Sequence, residues 1–261
     1  MKIKLSSFCW QCFNETTQTE ADYKRLKKEF GEEDVEVEFN NDNSYNIKCG
    51  KGHVSHTQLQ NQKFELLFDI AAMALIDGYT KECVSTIASS FERFIEFYIK
   101  VIAIKKKVNI SNFIDTWKTI SKQSERQLGS FYILQLTEYG ESKYIISTKW
   151  IEFRNKVIHQ GYIPSTHETI EYGEYILSMM YSILLDLKKE DLGSIDTACL
   201  LDFNTYGKII SEKQLKSSAT IPTIISLHSL RDPKFGSTSF KEAIESIPKN
   251  GFYKHFYSKF N

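Results

Sequence analysis

Three of the five cysteines stand in a spacing that suits metal ligation. Cys9-Trp10-Gln11-Cys12 is a CxxC pair, and after 36 intervening residues comes Cys49-Gly50-Lys51-Gly52-His53. Two thiolates two residues apart can turn back onto one ion, and a second knuckle supplies the rest of a tetrahedron. Gly50 and Gly52 suit a tight ligand-bearing turn. The spacing predicts structural zinc on Cys9, Cys12, Cys49 and His53, with His56 the competitor for the fourth place. Four protein ligands close the site, so the ion serves folding and not catalysis. A redox reading of CxxC lacks the surrounding βαβ pattern it needs. Cys83 and Cys199 fall in apolar runs and read as core thiols.

A second constellation is Phe153-Arg154-Asn155-Lys156-Val157-Ile158-His159-Gln160-Gly161. Histidine titrates near neutrality and can pass a proton either way, and a helix C-terminus favours its charged form. Arg154 stays charged and offers a planar fork of donors to phosphate oxygens. Asn155 lies four residues before His159 on the same helical face and can orient the imidazole or a bound anion. Arg154 and His159 are five residues apart, roughly 140° around the axis, so within one helix they do not stack. Convergence requires a long arginine, a distorted helix end, or a second subunit.

These groups need elements to hold them. Around the cysteines the pattern predicts a helix over about 20–30 and a hairpin joining Val35–Phe39 to Tyr45–Cys49 through the turn-rich Asn40–Ser44. From about Gln62 to Lys189 apolar residues recur at helical steps. The first helix carries Phe64, Leu67, Phe68, Ala71 and Leu75 and ends at Asp77-Gly78. A long second helix begins at Thr80 and carries Cys83, Ile87, Phe91, Phe94, Ile95, Tyr98 and Ile102 as one stripe. Further helices are predicted over 111–122, 124–138, 141–160 and 167–188. Their short connections imply an antiparallel bundle. Lys105 to Lys107 read as a solvated helix end. Beyond residue 190 the pattern predicts strands at 198–203 and 221–228 and a short helix at 239–247.

The Arg-Asn-x-x-x-His motif late in a helical bundle resembles the signature of the HEPN superfamily. Gly161-Tyr162-Ile163-Pro164 and the capped helix after it strengthen the likeness. So does Glu92-Arg93-Phe94-Ile95-Glu96-Phe97-Tyr98 on the long helix, which resembles the acidic, aromatic helix that faces this motif in such domains. The resemblance covers about residues 60 to 190. It implies an all-helical domain that forms a homodimer and brings two motifs into one cleft. It further implies a metal-independent endoribonuclease of prokaryotic antiphage or toxin-type defence. RNA is then the substrate, and an antitoxin or sensor protein a further partner. Arg154 would stabilise the phosphorane, His159 transfer protons and Asn155 orient, with Glu92 or Glu96 completing the site. The alternative is a non-catalytic module that binds nucleic acid or protein through the ribbon and a helical dimer.

Composition bounds these readings. The chain has 261 residues, 41% hydrophobic and 25% charged, which are globular values. No apolar run approaches the roughly 20 residues of a membrane span, and the first residues do not read as a secretory signal, so the expectation is a cytoplasmic protein without a membrane partner. Basic and acidic residues number 8 and 10 in 1–58, 16 and 16 in 59–190, and 9 and 7 in 191–261. No region is a polycation, so affinity for RNA must come from a cleft. The segment Phe252–Phe260 interleaves aromatic and basic residues, which could stack bases and hold phosphates, but reads more readily as a tail docked on the protein's own core. No GxxxxGK[ST], GxSxG or HExxH pattern is present. The expected fold is therefore mainly α: a HEPN-like antiparallel bundle over 59–190, a small β zinc ribbon over 1–58, and a small α/β extension over 191–261.

Overall fold

The computed structural model describes residues 2–6, 9–16, 19–22, 24–25, 34–206 and 216–247. The protein is mainly α with a small β part. It divides into two units: the described residues of 1–61 and 199–222 form the first, and 62–198 with the described residues of 223–253 form the second. The segment beyond 190 is thus shared between them.

In the first unit, β1 (Lys2–Ser6) pairs antiparallel with β2 (Asp34–Glu38), placing Ile3 opposite Val37 and Leu5 opposite Val35. Helix α1 spans Trp10–Thr16. Strands β3 (Ser44–Lys48) and β4 (Val54–Leu59) form the hairpin, with Asn46 opposite His56, and β5 (Lys216–Ala219) adds parallel to β4. This corrects the predicted hairpin: β2 does not pair with β3. The alternating Lys2-Ile3-Lys4-Leu5 run takes β2 instead. The Asn40–Ser44 segment does turn, with the Asn40 side chain donating to the Ser44 carbonyl (2.9 Å) and accepting from Asp42 N (3.0 Å). Asn43, at φ 50°, then ties the turn to the far end of β4, where Leu59 N donates to its carbonyl (2.8 Å). Of the predicted helix over 20–30, residues 20–22 and 24–25 are helical and the remainder lies outside the described residues.

In the second unit, α2 (Lys63–Ile76) and α3 (Thr80–Lys105) pack through aromatic rings, Phe64 lying 5.2 Å from Phe94 and 5.3 Å from Phe97. Every residue of the α3 stripe read from the sequence is buried. Helices α4 (Ile110–Ile120) and α5 (Ser124–Tyr139) follow. Lys105 and Lys106 are committed to Glu138, and Lys105 also to Glu190 (2.9 Å), so this helix end is an ion cluster rather than a bare solvated terminus.

Helix α6 spans Thr148–His159 and starts later than the predicted residue 141. Gly140, in the left-handed region at φ 77°, ends α5, and Tyr144 N donates to the fully buried Gln135 (2.6 Å), holding 141–147 out of the helix. Helix α7 runs over Thr166–Tyr206, broken at Asp191 (φ −161°, ψ 87°). The Asp191 carboxylate accepts from Ser194 N (3.2 Å) and Oγ (2.6 Å), an N-cap that restarts the helix. The predicted strand at 198–203 is consequently helical.

The predicted strand at 221–228 is also absent. Its backbone donors go to carboxylates on α2: Ile224 N to Asp69 (2.9 Å) and Leu227 N to Glu65 (2.8 Å). A short 3₁₀ turn occupies Leu227–Ser229. The predicted short helix is α8 (Phe240–Ser246), started by a capping box between Ser239 and Glu242. The aromatic and basic segment 252–260 lies outside the described residues.

Candidate functional site

Two side-chain clusters can do chemistry, one in each unit. In the first unit, the Cys49–His53 turn closes the β3–β4 hairpin: Cys49 N donates to the His53 carbonyl (2.9 Å) and Gly52 N to the Cys49 carbonyl (2.8 Å). Gly52 sits at φ 89°, which explains the glycine there. The first pair is built differently. Cys9 precedes α1 and Cys12 lies in its first turn, with Cys12 N directed at Cys9 Sγ (3.5 Å).

Ligand atoms of Cys9, Cys12, Cys49 and His53 all lie within 4.8 Å of one another, and together they could hold a metal ion. Tetrahedral coordination with ordinary bond lengths requires S···S edges of about 3.8 Å and S···N edges of about 3.6 Å. The observed separations are 3.7 Å for Cys12–Cys49, 3.7 Å for Cys9–His53 and 3.2 Å for Cys12–His53, so the donor set fits a single ion. The histidine turns Nδ1 toward the thiols. Its Nε2 faces the Glu15 carboxylate at 3.7 Å, which lies one turn beyond Cys12 on α1. His56 is engaged elsewhere, by Asn46 (3.1 Å) and Ser44 (3.3 Å). Burial, reinforced by the neighbouring cysteines, pushes the Cys12 thiol up to about 12. Burial acts on Cys49 in the same sense, but backbone N–H groups of Lys51 and His53, together with hydrogen bonds from the Cys12 and Cys9 thiols, outweigh it and lower that thiol. The sequence pointed to the four clustered residues but not to Glu15, whose only signal is its helical spacing of three from Cys12.

In the second unit, α3 carries Glu92 to Arg154 on α6. Arg154 Nη2 donates to Glu92 Oε1 (3.0 Å) and Nη1 to Asn155 Oδ1 (3.1 Å). All three line a cavity of about 190 Å³ between α3, α5, α6 and α7, with Phe91, Trp150 and Tyr172 among its walls. Trp150 and Tyr172 are buried and their rings lie 5.7 Å apart, with Phe153 beside both. Burial pushes the Tyr172 phenol up, against the opposing influence of Arg154.

Two sequence candidates stand apart from this cavity. Glu96 is bonded to Arg93 (2.6 Å) and to Trp117 Nε1 (2.9 Å), so it braces α3 against α4. His159 is exposed at the end of α6 and makes no side-chain hydrogen bond among the described residues. The chain beyond it is ordered by Gly161 (φ 72°), by Tyr162 N donating to the Lys156 carbonyl (3.2 Å), and by Tyr162 Oη donating to Glu168 (2.9 Å). One chain therefore joins Glu92, Arg154 and Asn155 and leaves His159 outside. The aromatic walls carry no motif that the sequence could have flagged; they read as ordinary core residues. Comparison with family models, with curated proteins and with solved structures gives no match to this chain.

Proposed function

We propose that the protein is a HEPN-type endoribonuclease that cleaves RNA without a catalytic metal, in prokaryotic antiphage or toxin-type defence. The observation that carries the reading is the Glu92–Arg154–Asn155 set at a cavity on the helical unit: a fixed guanidinium at an open site, carried by the same helix that ends in His159. In the cleavage step the 2′-oxygen attacks phosphorus as its proton passes to a base. The P–O5′ bond breaks and O5′ takes up a proton, leaving a 2′,3′-cyclic phosphate and a 5′-hydroxyl. Arg154 stabilises the charged phosphorane and His159 transfers the proton. Glu92 and Asn155 orient the guanidinium. Because Arg154 and His159 do not converge within one chain, the active form is a homodimer in which one protomer's His159 approaches its partner's Arg154. Cys9, Cys12, Cys49 and His53 hold a zinc ion that folds the first unit; an antitoxin or sensor protein would act as a further, regulatory partner.

The exposed position of His159 favours one other reading, a binding module of the same architecture without catalysis. The deciding assay incubates purified wild type, Arg154→Ala and His159→Ala with RNA in magnesium-free buffer, retention of the bound metal being checked in each. Cleavage by wild type alone, with cyclic-phosphate ends, supports the nuclease. Equal binding and no cleavage in all three supports the module and ends the nuclease reading.

A further inference from the structure

The cavity beside Arg154 has more apolar wall than phosphate binding requires. A phosphate is a small, strongly hydrated anion that needs donors, not rings. Here Phe91, Trp150 and Tyr172 share the lining with Glu92, Arg154 and Asn155, and the Glu92 and Arg154 side chains are 29% and 23% exposed. A lined space of about 190 Å³ is below the size of pockets that hold drug-sized ligands and suits one flat ring system.

We infer that this cavity takes an unpaired adenine of single-stranded RNA and so selects the cleavage position. The inference rests on the ribonuclease reading and names the specificity of that site. Its logic is stacking and edge chemistry. Aromatic walls stack any base, and a purine buries more ring than a pyrimidine. Asparagine pairs an amide with adjacent donor and acceptor positions, as on the adenine edge at N6 and N7. Asn155 Oδ1 uses one lone pair on Arg154 and keeps another, while Nδ2 supplies the donor. Glu92 meets Arg154 through Oε1, which leaves Oε2 to accept from an exocyclic amino group. Uracil has no such group. Guanine is read best by an arginine fork, and this fork is already turned toward Glu92 and Asn155. The guanidinium spends two of its five donors on those partners and retains the others for the neighbouring phosphate.

The test is calorimetric titration of the full-length, metal-loaded protein with AMP, CMP, GMP and UMP, alongside cleavage of RNA oligonucleotides that differ in one unpaired base. AMP is expected to bind tightest, with UMP weaker by about tenfold or more. Ala88→Leu, which places added bulk at the wall of the cavity, should weaken AMP by about tenfold while thermal unfolding stays cooperative. Leu128→Phe on the α5 wall repeats that measurement should Ala88→Leu fail to fold. UMP, CMP or GMP binding as tightly as AMP, or AMP binding indifferent to both fillings, overturns the inference. RNA cleavage without AMP binding sinks the adenine cavity and spares the nuclease; AMP binding lost on filling, without cleavage of any RNA, does the reverse.

Discussion

Gly173, within α7, gives a sharp test of how residues 223–247 are attached to the helical unit. A Cβ at this position would lie 2.2 Å from Phe240 Cε1 and 2.3 Å from Cδ1. Carbon contacts are comfortable near 3.5–4.0 Å, so the ring must retreat by about 1.5 Å. It has little room to do so. Phe240 is fully buried, packs edge-on against Phe68 at 5.4 Å, and is pinned at its own backbone N by Glu174 (2.6 Å). Helix propensity alone would make Gly173→Ala stabilising by about 1 kcal/mol. Overpacking costs about 1–3 kcal/mol, and outright loss of the Phe240 side chain about 3–5 kcal/mol. Strain should win, leaving a net destabilisation of up to about 2 kcal/mol if the ring stays in place and up to about 4 kcal/mol if it is expelled, once the propensity gain is set against it. Urea denaturation of Gly173→Ala, Phe240→Ala and the double variant separates the terms. In the Phe240→Ala background the same glycine change should turn stabilising by about 1 kcal/mol. If Gly173→Ala stabilises in both backgrounds, the ring does not lie on that glycine and the reasoning fails.

Gly129 is the matching control: it is exposed within α5 with nothing within 4 Å of an added Cβ, so Gly129→Ala should raise stability by about 1 kcal/mol in the same assay. Metal analysis of the purified protein should give one ion per chain; the content should collapse in Cys12→Ala and Cys49→Ala, fall in His53→Ala and stay unchanged in His56→Ala. Glu65 is wholly buried, and that burial raises its carboxyl from the ordinary 4.5 to about 8 despite two backbone donors. Between those values the folded chain holds a proton that the unfolded chain has lost. The stabilisation is therefore complete below about pH 4.5 and disappears as pH rises through 8, a change on the order of 5 kcal/mol. Urea midpoints at pH 5 and pH 8 should diverge in wild type and converge in Glu65→Gln; equal pH slopes in the two would count against it.

The sequence was most legible where one face of a regular element meets the core. The α3 stripe from Cys83 to Ile102 could be read residue by residue, because period and burial coincide there. The four metal-cluster residues were readable for another reason: few other uses of cysteine produce that spacing with glycines in the turn. Pairing between strands was not readable. Val35–Phe39 alternates equally well for either neighbour, and only the competing Lys2–Ser6 run decides. Nor were 198–203 and 221–228, where apolar runs are too short to give a period. A single carboxylate settles the first, Asp191 restarting the helix, and two settle the second, Glu65 and Asp69 taking the donors a sheet would need. Arg154, Asn155 and Glu92 could be chosen from the sequence, but the cavity around them required two more helices, α5 and α7, to be in place.

Those two carboxylates also bear on the order in which the molecule is made. Glu65 and Asp69 leave the ribosome 162 and 155 residues before the amides they serve, Leu227 and Ile224. Until then, α2 carries two acids destined for a dry interior before the Leu227 and Ile224 amides exist to meet them, with Gln62 N a local donor to Glu65. Hydrated, they keep that face of the nascent bundle open; capped, they let it close. Completion of the helical unit during synthesis therefore waits on residues 223–247, and a chain cut at 198 would retain every helix from α2 through α6 yet lack the partners that permit its acidic face to be buried.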